Sequence, residues 1–383
     1  MKRRRFNRLK LLFSGVLRER ANYHQPDYYL IVAVVIIVVF GLVMLSSVSS
    51  AVSFWQFEST YGYFYKQLFG FSLGVTLFYI TSRLDYHYYK DLALPLLAVS
   101  LILLIIVFVP SLGAGWGHAR SWVNVFGFSL QPSELVKLTF LLYLAAWVDK
   151  RGRDLIDLHK GTAPFLILLG AITALMLAQP DTGTLFIILA ISLSVYFIGG
   201  GNIKHILIIF ISGFLGLLAM LKIAPYQLDR FRCFFDQNFS PADVCYQINQ
   251  ALIAVGSGGI LGRGFGNSRQ KFLYLPEVQG DAIFPIIAEE MGLIVSVLLV
   301  FLFVFIFYRG YIIAKNAPDN YGRLLAIGIV TWFVLQAFIN IAGVINLMPM
   351  TGVPLPFISY GGSAMMAALA AAGIVVNISK QTR

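Results

Sequence analysis

The sequence predicts an all-α polytopic membrane protein, and two observations predict it. Of 383 residues, 58% are hydrophobic and only 12% charged, with a mean hydropathy of +0.78, well above the roughly even apolar share of a soluble domain. The apolar residues also gather into runs near the ~20-residue length that crosses a bilayer. Ten runs can be marked, at 28–45, 63–80, 92–109, 135–148, 163–178, 185–199, 206–223, 283–308, 325–345 and 359–378, the fourth and sixth being short. The expectation is a single transmembrane domain over residues 28–378, with ten helices and a long outer loop, 225–281, between helices 7 and 8. A basic segment, 1–27, precedes it and a short tail, 379–383, follows.

Charge placement orients these elements. The formal net charge is +11, but 20 of the 29 Lys and Arg fall on segments that share one side if the N-terminus is inside. That bias predicts cytoplasmic termini and membrane lipids, not nucleic acid, as the partner of the basic residues. The first span is longer than a signal h-region and no small-residue cleavage pattern follows it, so no cleavable signal is expected. Residues 11–17, flanked by Lys10, Arg18 and Arg20, suit the inner headgroups. The long outer loop breaks the charge trend, and its basic residues ask for an anionic ligand. Both cysteines, Cys233 and Cys245, lie in that loop. Outside a reducing cytoplasm the pair can bridge, closing a loop worth about 3 kcal/mol, or stand as two thiols.

The inner loops are short and charged, and function is sought among the outer segments. In Gly113–Leu138, Pro132 and Ser133 suit a helix start, which puts Glu134 and Lys137 three apart on one face. Such a pair either locks helices together or meets a substrate, and Arg120 just upstream could reach a phosphate or headgroups. In the long loop, Tyr246–Val255 has helical apolar spacing and is followed by the glycine-rich 256–266. No strand precedes those glycines and no Gly-Lys-Ser/Thr ends them, so a nucleotide site is rejected. Their N–H groups could cradle a diphosphate, or they could form a plain turn. The proline-rich 346–363 reads as a re-entrant segment walling a site through Pro354, Pro356, Ser359 and Gly361. Gln179–Gly183 reads as a tight turn with Asp181 capping. No internal repeat, metal-ligand spacing or nucleophile motif occurs.

The long loop runs through Tyr274-Leu-Pro-Glu277 into an apolar helix, with Asp281 at the junction. A carboxylate at the mouth of a membrane helix is partly desolvated, which raises its pKa toward that of a usable base. The alternative is that Asp281 caps the helix N-terminus.

Taken together, Gln131-Pro-Ser-Glu-Leu-Val-Lys137, Gln179-Pro-Asp-Thr-Gly183, Tyr246-Gln247, Gly256-Ser-Gly-Gly259, Tyr274-Leu-Pro-Glu277, Asp281, Glu289-Glu-Met-Gly292 and Thr351–Ser363 resemble one family over nearly the whole chain. It is the SEDS family (shape, elongation, division and sporulation), represented by FtsW and RodA; the basic N-terminal extension leans toward the division branch. The resemblance implies ten spans with cytoplasmic termini in the bacterial inner membrane. It further implies a peptidoglycan glycosyltransferase that polymerises lipid II beside a class B penicillin-binding protein, an FtsI-like transpeptidase, and divisome proteins. The family's essential acid maps onto Asp281, its charged pair onto Glu134 and Lys137, and an arginine onto Arg120. Ser121 stands where a second arginine is common, and Gly280, Ala282 and Pro285 depart from the pattern around the acid.

The implied chemistry needs one base, because a polyprenyl diphosphate carries its own leaving charge. Arg120, Lys137 and Arg230, then Lys271, are the cations that could receive it. A divalent ion, Mg or Mn, on the diphosphate is compatible, though no ligand set names one. A flippase for the same precursor would instead use intramembrane charges such as Glu289 and Glu290, and a scaffold would tolerate loss of Asp281.

Overall fold

The computed structural model describes residues 24–109, 113–116, 119–125, 128–223, 225–236, 239–240 and 243–382. The basic segment before residue 24, with its headgroup-lying stretch, is outside the described residues. Each of the ten apolar runs falls on a helix. In order these are α1 (Tyr28–Val48), α3 (Gly62–Arg83), α4 (His87–Ile106), α5 (Pro132–Arg151), α6 (Ala163–Ala178), α7 (Thr182–Ile198), α8 (Ile203–Ile223), α11 (Ile283–Lys315), α12 (Asn320–Val344) and α13 (Gly362–Ser379). Between them lie the short α2 (Ser50–Phe57) and the loop helices α9 (Pro225–Phe235) and α10 (Tyr246–Gly258). Among the described residues six stretches, those of α1, α4, α11, α12 and α13 and Leu158–Ala178 ending in α6, are long and apolar enough to cross a membrane. Thr182–Ile198 and Ile203–Gly213 are shorter apolar helices.

α13 and α12 form the centre. α13 is almost wholly buried, and its alanines let α3 approach closely enough for Thr81 Oγ1 to donate to Ala370 O at 2.9 Å. Outer helices turn large apolar side chains outward, as with Leu293, Leu298 and Phe301 of α11. The first and last described residues lie together: His24 N–H donates to Lys380 O at 2.8 Å, and Asp27 N–H to Ser379 Oγ at 3.0 Å. Asp27 also caps α1 and pairs with Arg309 near the far end of α11. On that side His87 bridges Asp85 (2.7 Å) and Asp319 (2.6 Å), joining α4 to the start of α12.

Two features correct the all-helical expectation. Residues around Arg120 form an antiparallel three-stranded sheet in the order β1-β2-β3, with β1 at Gly113–Trp116, β2 at Ala119–Val125 and β3 at Phe128–Leu130. Trp122, Val123 and Val125 favour strands, but segments this short carry no readable alternation.

The run 283–308 is also not one continuous helix. At Gly292 (φ 77°, ψ −177°) the backbone leaves the helical region, so Ile283–Met291 is a short buried helix and the apolar span starts at Leu293. A break strands carbonyls above it and N–H groups below it, and the glycine-rich loop takes up both. Arg263 N and Gly264 N donate to Glu289 O and Glu290 O, each at 2.9 Å, while Leu293 N and Ile294 N donate to Gly259 O and Ile260 O. Gly262 N donates to Gly258 O. These N–H groups are therefore consumed by the helix break and do not form the diphosphate cradle that the glycines alone suggested.

A Cβ at Gly292 would clash with the backbone N of Gly262 and the carbonyl of Ile260, in a conformation that L-residues rarely adopt. Gly292→Ala is expected to destabilise the protein by at least about 2 kcal/mol, read as a lower thermal unfolding midpoint in detergent. A neighbouring lipid-facing change, Leu293→Ala, is expected to shift it far less.

Candidate active site

The proline-rich segment after α12 forms no continuous helix, and only its Leu355 carbonyl takes helix-type bonds, from Ile358 and Ser359 N–H, so its other carbonyls need donors in surroundings that hold little water. Two amides one helical turn apart on α12 supply them. Gln336 Nε2 donates to Pro354 O at 2.8 Å, and Asn340 Nδ2 donates to Val353 O at 2.7 Å. Asn340 Nδ2 also donates to the backbone carbonyl of Asp281 at 2.7 Å. The same side chain thus ties the segment to the turn that carries the acid.

Asp281 does not cap α11: the N-cap is Ala282, with no side-chain bond. Its carboxylate instead faces a niche made by three other parts of the chain. Gln247 of α10 donates from Nε2 to Asp281 Oδ1 at 3.4 Å. Arg230 of α9 donates from Nη1 to Met350 O at 3.1 Å. Gly352, at φ 72°, lies between: a Cβ there would be 3.5 Å from Asp281 Oδ2 and 3.9 Å from Arg230 Nη1. Those are ordinary contact distances, so the positive φ is what selects glycine here, and the two distances place cation and carboxylate beside the same turn.

Protein surrounds Asp281 on most sides, yet part of its surface stays open. Burial pushes its carboxyl up to about 7; repulsion from Glu277 adds to the rise, and Arg230 opposes it. Glu277, itself raised by burial, keeps an exposed outer surface, so water screens its repulsion and lost hydration is the main cause. The outcome is a carboxylate that takes or gives a proton near neutral pH.

Glu134 and Lys137 form the pair their spacing predicted, at 2.8 Å and fully buried. Lys137 Nζ also donates to Gln336 Oε1 at 2.8 Å and lies 5.0 Å from the Trp332 ring centre, while Trp332 Nε1 donates to the same oxygen at 2.7 Å. The pair thus joins α5, α12 and the proline segment. Pro354, Pro356 and Ser359 line a cavity beside Glu134, and Gly361 N–H donates to Gln67 Oε1 at 3.0 Å. Three of the four expected wall residues thus line the cavity beside Glu134, and Gly361 is tied to α3 instead; Met350, Gly352 and Val353 of the same segment are the ones that meet the Asp281 niche.

Lys271 turns inward, where its ammonium meets Glu290 Oε1 (2.9 Å), Ser47 Oγ (3.0 Å) and Gly266 O (2.7 Å). Its three donors are engaged, which changes its reading from a diphosphate ligand to a tie between α1, the loop and α11. Glu289 accepts from Arg269 N at 3.1 Å and Gln270 N at 3.4 Å, so the adjacent glutamates have separate structural tasks. Arg120 lies in β2, with its side chain outside the described residues. Ser121 donates to Gln179 O at 3.3 Å, and Asp181 caps α7 while accepting from Ser133 Oγ at 3.0 Å. The cysteines are bridged. Sequence reasoning passed over Gln247, Asn340 and Gln336 as site residues. The signal for the last two was available as a pair of amides four apart in an apolar helix.

The chain matches the family described as "Cell cycle protein", FtsW/RodA/SpoVE, over residues 28–383. It is 34% identical over 358 residues to the stage V sporulation protein E of Bacillus subtilis, covering 94% of this chain and 98% of that one. It is 36% identical over 361 residues to a probable peptidoglycan glycosyltransferase FtsW of Coxiella burnetii, covering 93% and 96%. Among solved structures it resembles a chain of a peptidoglycan synthase complex that coordinates polymerization and crosslinking, with a TM-score of 0.75, 27% identity and coverage of 92% and 97%. It also resembles the rod shape determining protein RodA of Thermus thermophilus, with a TM-score of 0.68, 28% identity and coverage of 93% and 97%. Sequence and fold agree over almost the whole length, and the chain belongs to the FtsW/RodA/SpoVE family, the SEDS proteins.

Proposed function

We propose that this chain is a peptidoglycan glycosyltransferase that polymerises lipid II at the outer face of the bacterial inner membrane during division, with Asp281 as general base. The observation that carries the reading is the Asp281 niche: a carboxyl raised to about 7, part open, with a guanidinium beside it. The acceptor sugar hydroxyl gives its proton to Asp281 as its oxygen attacks the donor's anomeric carbon, and the polyprenyl diphosphate leaves with the bonding electrons. General-base help of this kind is worth about 100- to 10,000-fold. Arg230 is the cation placed to receive developing phosphate charge, and Arg120 joins it on the strength of the family resemblance. Lys137 and Lys271 act by holding helices in register. A divalent ion travelling with the diphosphate would be held by one or two carboxylates and phosphate oxygens; Glu277 is the carboxylate at hand.

Ten membrane crossings with both termini cytoplasmic complete the proposal. The His24–Lys380 bond and the Asp27–Arg309 contact lie together at one end of α11, which supports a shared side for the two ends. Asp281 precedes its other end, and the unbroken part from Leu293 to Arg309 alone spans about 24 Å. That separation supports an outward site. The work of Glu289 and Glu290 in anchoring the loop weakens the flippase alternative, which needed those charges. A class B penicillin-binding protein is the proposed cross-linking partner.

Purified with such a partner and given lipid II in detergent, the native chain is expected to produce glycan ladders. Asp281→Asn is expected to lose at least about 100-fold in rate while eluting as a folded complex. Ladders that persist in the variant would remove the base assignment, and their absence from a folded native complex would favour transport or scaffolding.

The raised carboxyl sets two pH effects. Base function needs the ionised form, so kcat/KM should fall on the acid side with an apparent pKa near 7. For stability, a folded-state pKa above the unfolded 3.8 means that the folded chain binds this proton more tightly. Its stability therefore drops as pH rises from about 4 to about 7. Asp281→Asn removes that cost, and its Tm should exceed native at pH 8 by roughly a few degrees, the gap closing below pH 4.

A further inference from the structure

Cys233 lies in the last turn of α9, and Cys245 is the N-cap of α10; their bridge sets the two Cα atoms 5.3 Å apart. Each cysteine is close in sequence to a residue of the Asp281 niche. Arg230 precedes Cys233 by three positions on α9 and so shares its face, and Gln247 follows Cys245 by two. The chain between the cysteines mixes Asp236, Gln237, Asn238 and Asp243 with Phe234, Phe235 and Phe239, and Phe235 and Phe239 stay exposed, so it contributes little burial to hold α9. Around the bridge, Cys233, Cys245 and Ile248 form a small apolar cluster with Val244 and Leu252, separate from the main core. Without the bridge, a cluster of this size would lose much of its buried content, and α9 would depend on polar ties such as Arg230 to Met350 O (3.1 Å) and Asn346 Nδ2 to Phe234 O (3.5 Å).

We propose that the Cys233–Cys245 disulfide is a positioning element of the active site, holding Arg230 of α9 beside Asp281, so that glycan polymerisation by this chain is sensitive to dithiol reductants. The inference rests on Asp281 being the base. Among the described residues the charged groups facing Asp281 are Glu277 from its own loop and Arg230 from α9. α10, α12 and the proline segment present neutral groups to it: Gln247, Asn340 and the backbone of Gly352. Releasing α9 therefore withdraws the cation and leaves the repelling carboxylate. Reduction by dithiothreitol delivers two electrons and two protons: the S–S bond breaks, two cysteine thiols form, and the reductant closes its own cyclic disulfide.

The test follows protonation of Asp281 directly, by infrared titration of the full-length chain in detergent with Asp281→Asn as the difference reference. It is run beside the lipid II polymerisation assay. In the Cys233→Ser/Cys245→Ser variant the Asp281 midpoint is expected to rise by about one pH unit, and kcat at pH 7 to fall about fivefold, following the ionised fraction. Arg230→Gln should give the same displacement, and adding it to the serine variant should give no more. Dithiothreitol should reproduce the effect in native protein and leave the serine variant unchanged. If the serine variant does not fold, reduction of the folded native chain supplies the same reading. An unmoved midpoint in reduced or serine-substituted protein would overturn the proposal, even if its Tm fell, because that pattern marks a purely structural bridge. If the midpoint moves but the native chain makes no glycan, the polymerase reading fails and the positioning of Arg230 by the bridge stands.

Discussion

The structure depends on the need of an unwound chain for hydrogen-bond donors inside an apolar bundle. The segment after α12 cannot run as a continuous helix because its prolines and Gly352 interrupt it, and carbonyls such as those of Val353 and Pro354 would otherwise lie unpaired among apolar helices. Gln336 and Asn340 meet that need from one face of α12, and each is shared with a second group. Gln336 also receives Lys137 and Trp332, while Asn340 also holds the carbonyl of Asp281. The ion-pair chamber and the acid's niche are thereby coupled through two side chains one turn apart. A buried pair such as Glu134–Lys137 contributes little net stability by itself; here its value lies in fixing where α5, α12 and the proline segment meet.

A second interruption works by the same rule. The break at Gly292 exposes carbonyls and N–H groups that the glycine-rich loop satisfies strand-like, backbone to backbone. The carboxylates of Glu289 and Glu290 hold the following turn through its N–H groups and through Lys271. The short helix behind Asp281 is thus joined to the membrane-length part of α11 through the loop as well as through the chain. This separates the acid's surroundings, which are packed and buried, from a span whose outer face is apolar and open.

At the site itself, two opposing effects meet and burial outweighs the cation. Burial raises the Asp281 carboxyl, and a cation close by prevents the rise from going further. A carboxylate fully paired with arginine would be a poor base, and one fully buried without a cation would stay protonated. The position of Arg230, on a helix outside the main core, therefore sets how far the rise caused by burial goes.

Composition and run length determined the helical membrane class, because crossing lipid imposes a length and an apolarity that six stretches among the described residues display. The spacing of Glu134 and Lys137 determined their pairing, since residues three apart on a helix meet whatever surrounds them. Asp281 was legible from its position between a polar loop and an apolar run. What surrounds Asp281 was decided only in three dimensions: Gln247, Arg230, Asn340 and Gly352 come from four separate parts of the chain, and no local pattern records their meeting. The break at Gly292 and the inward turn of Lys271 belong there too, because a glycine or a lysine in sequence does not reveal which distant carbonyl or carboxylate will claim it.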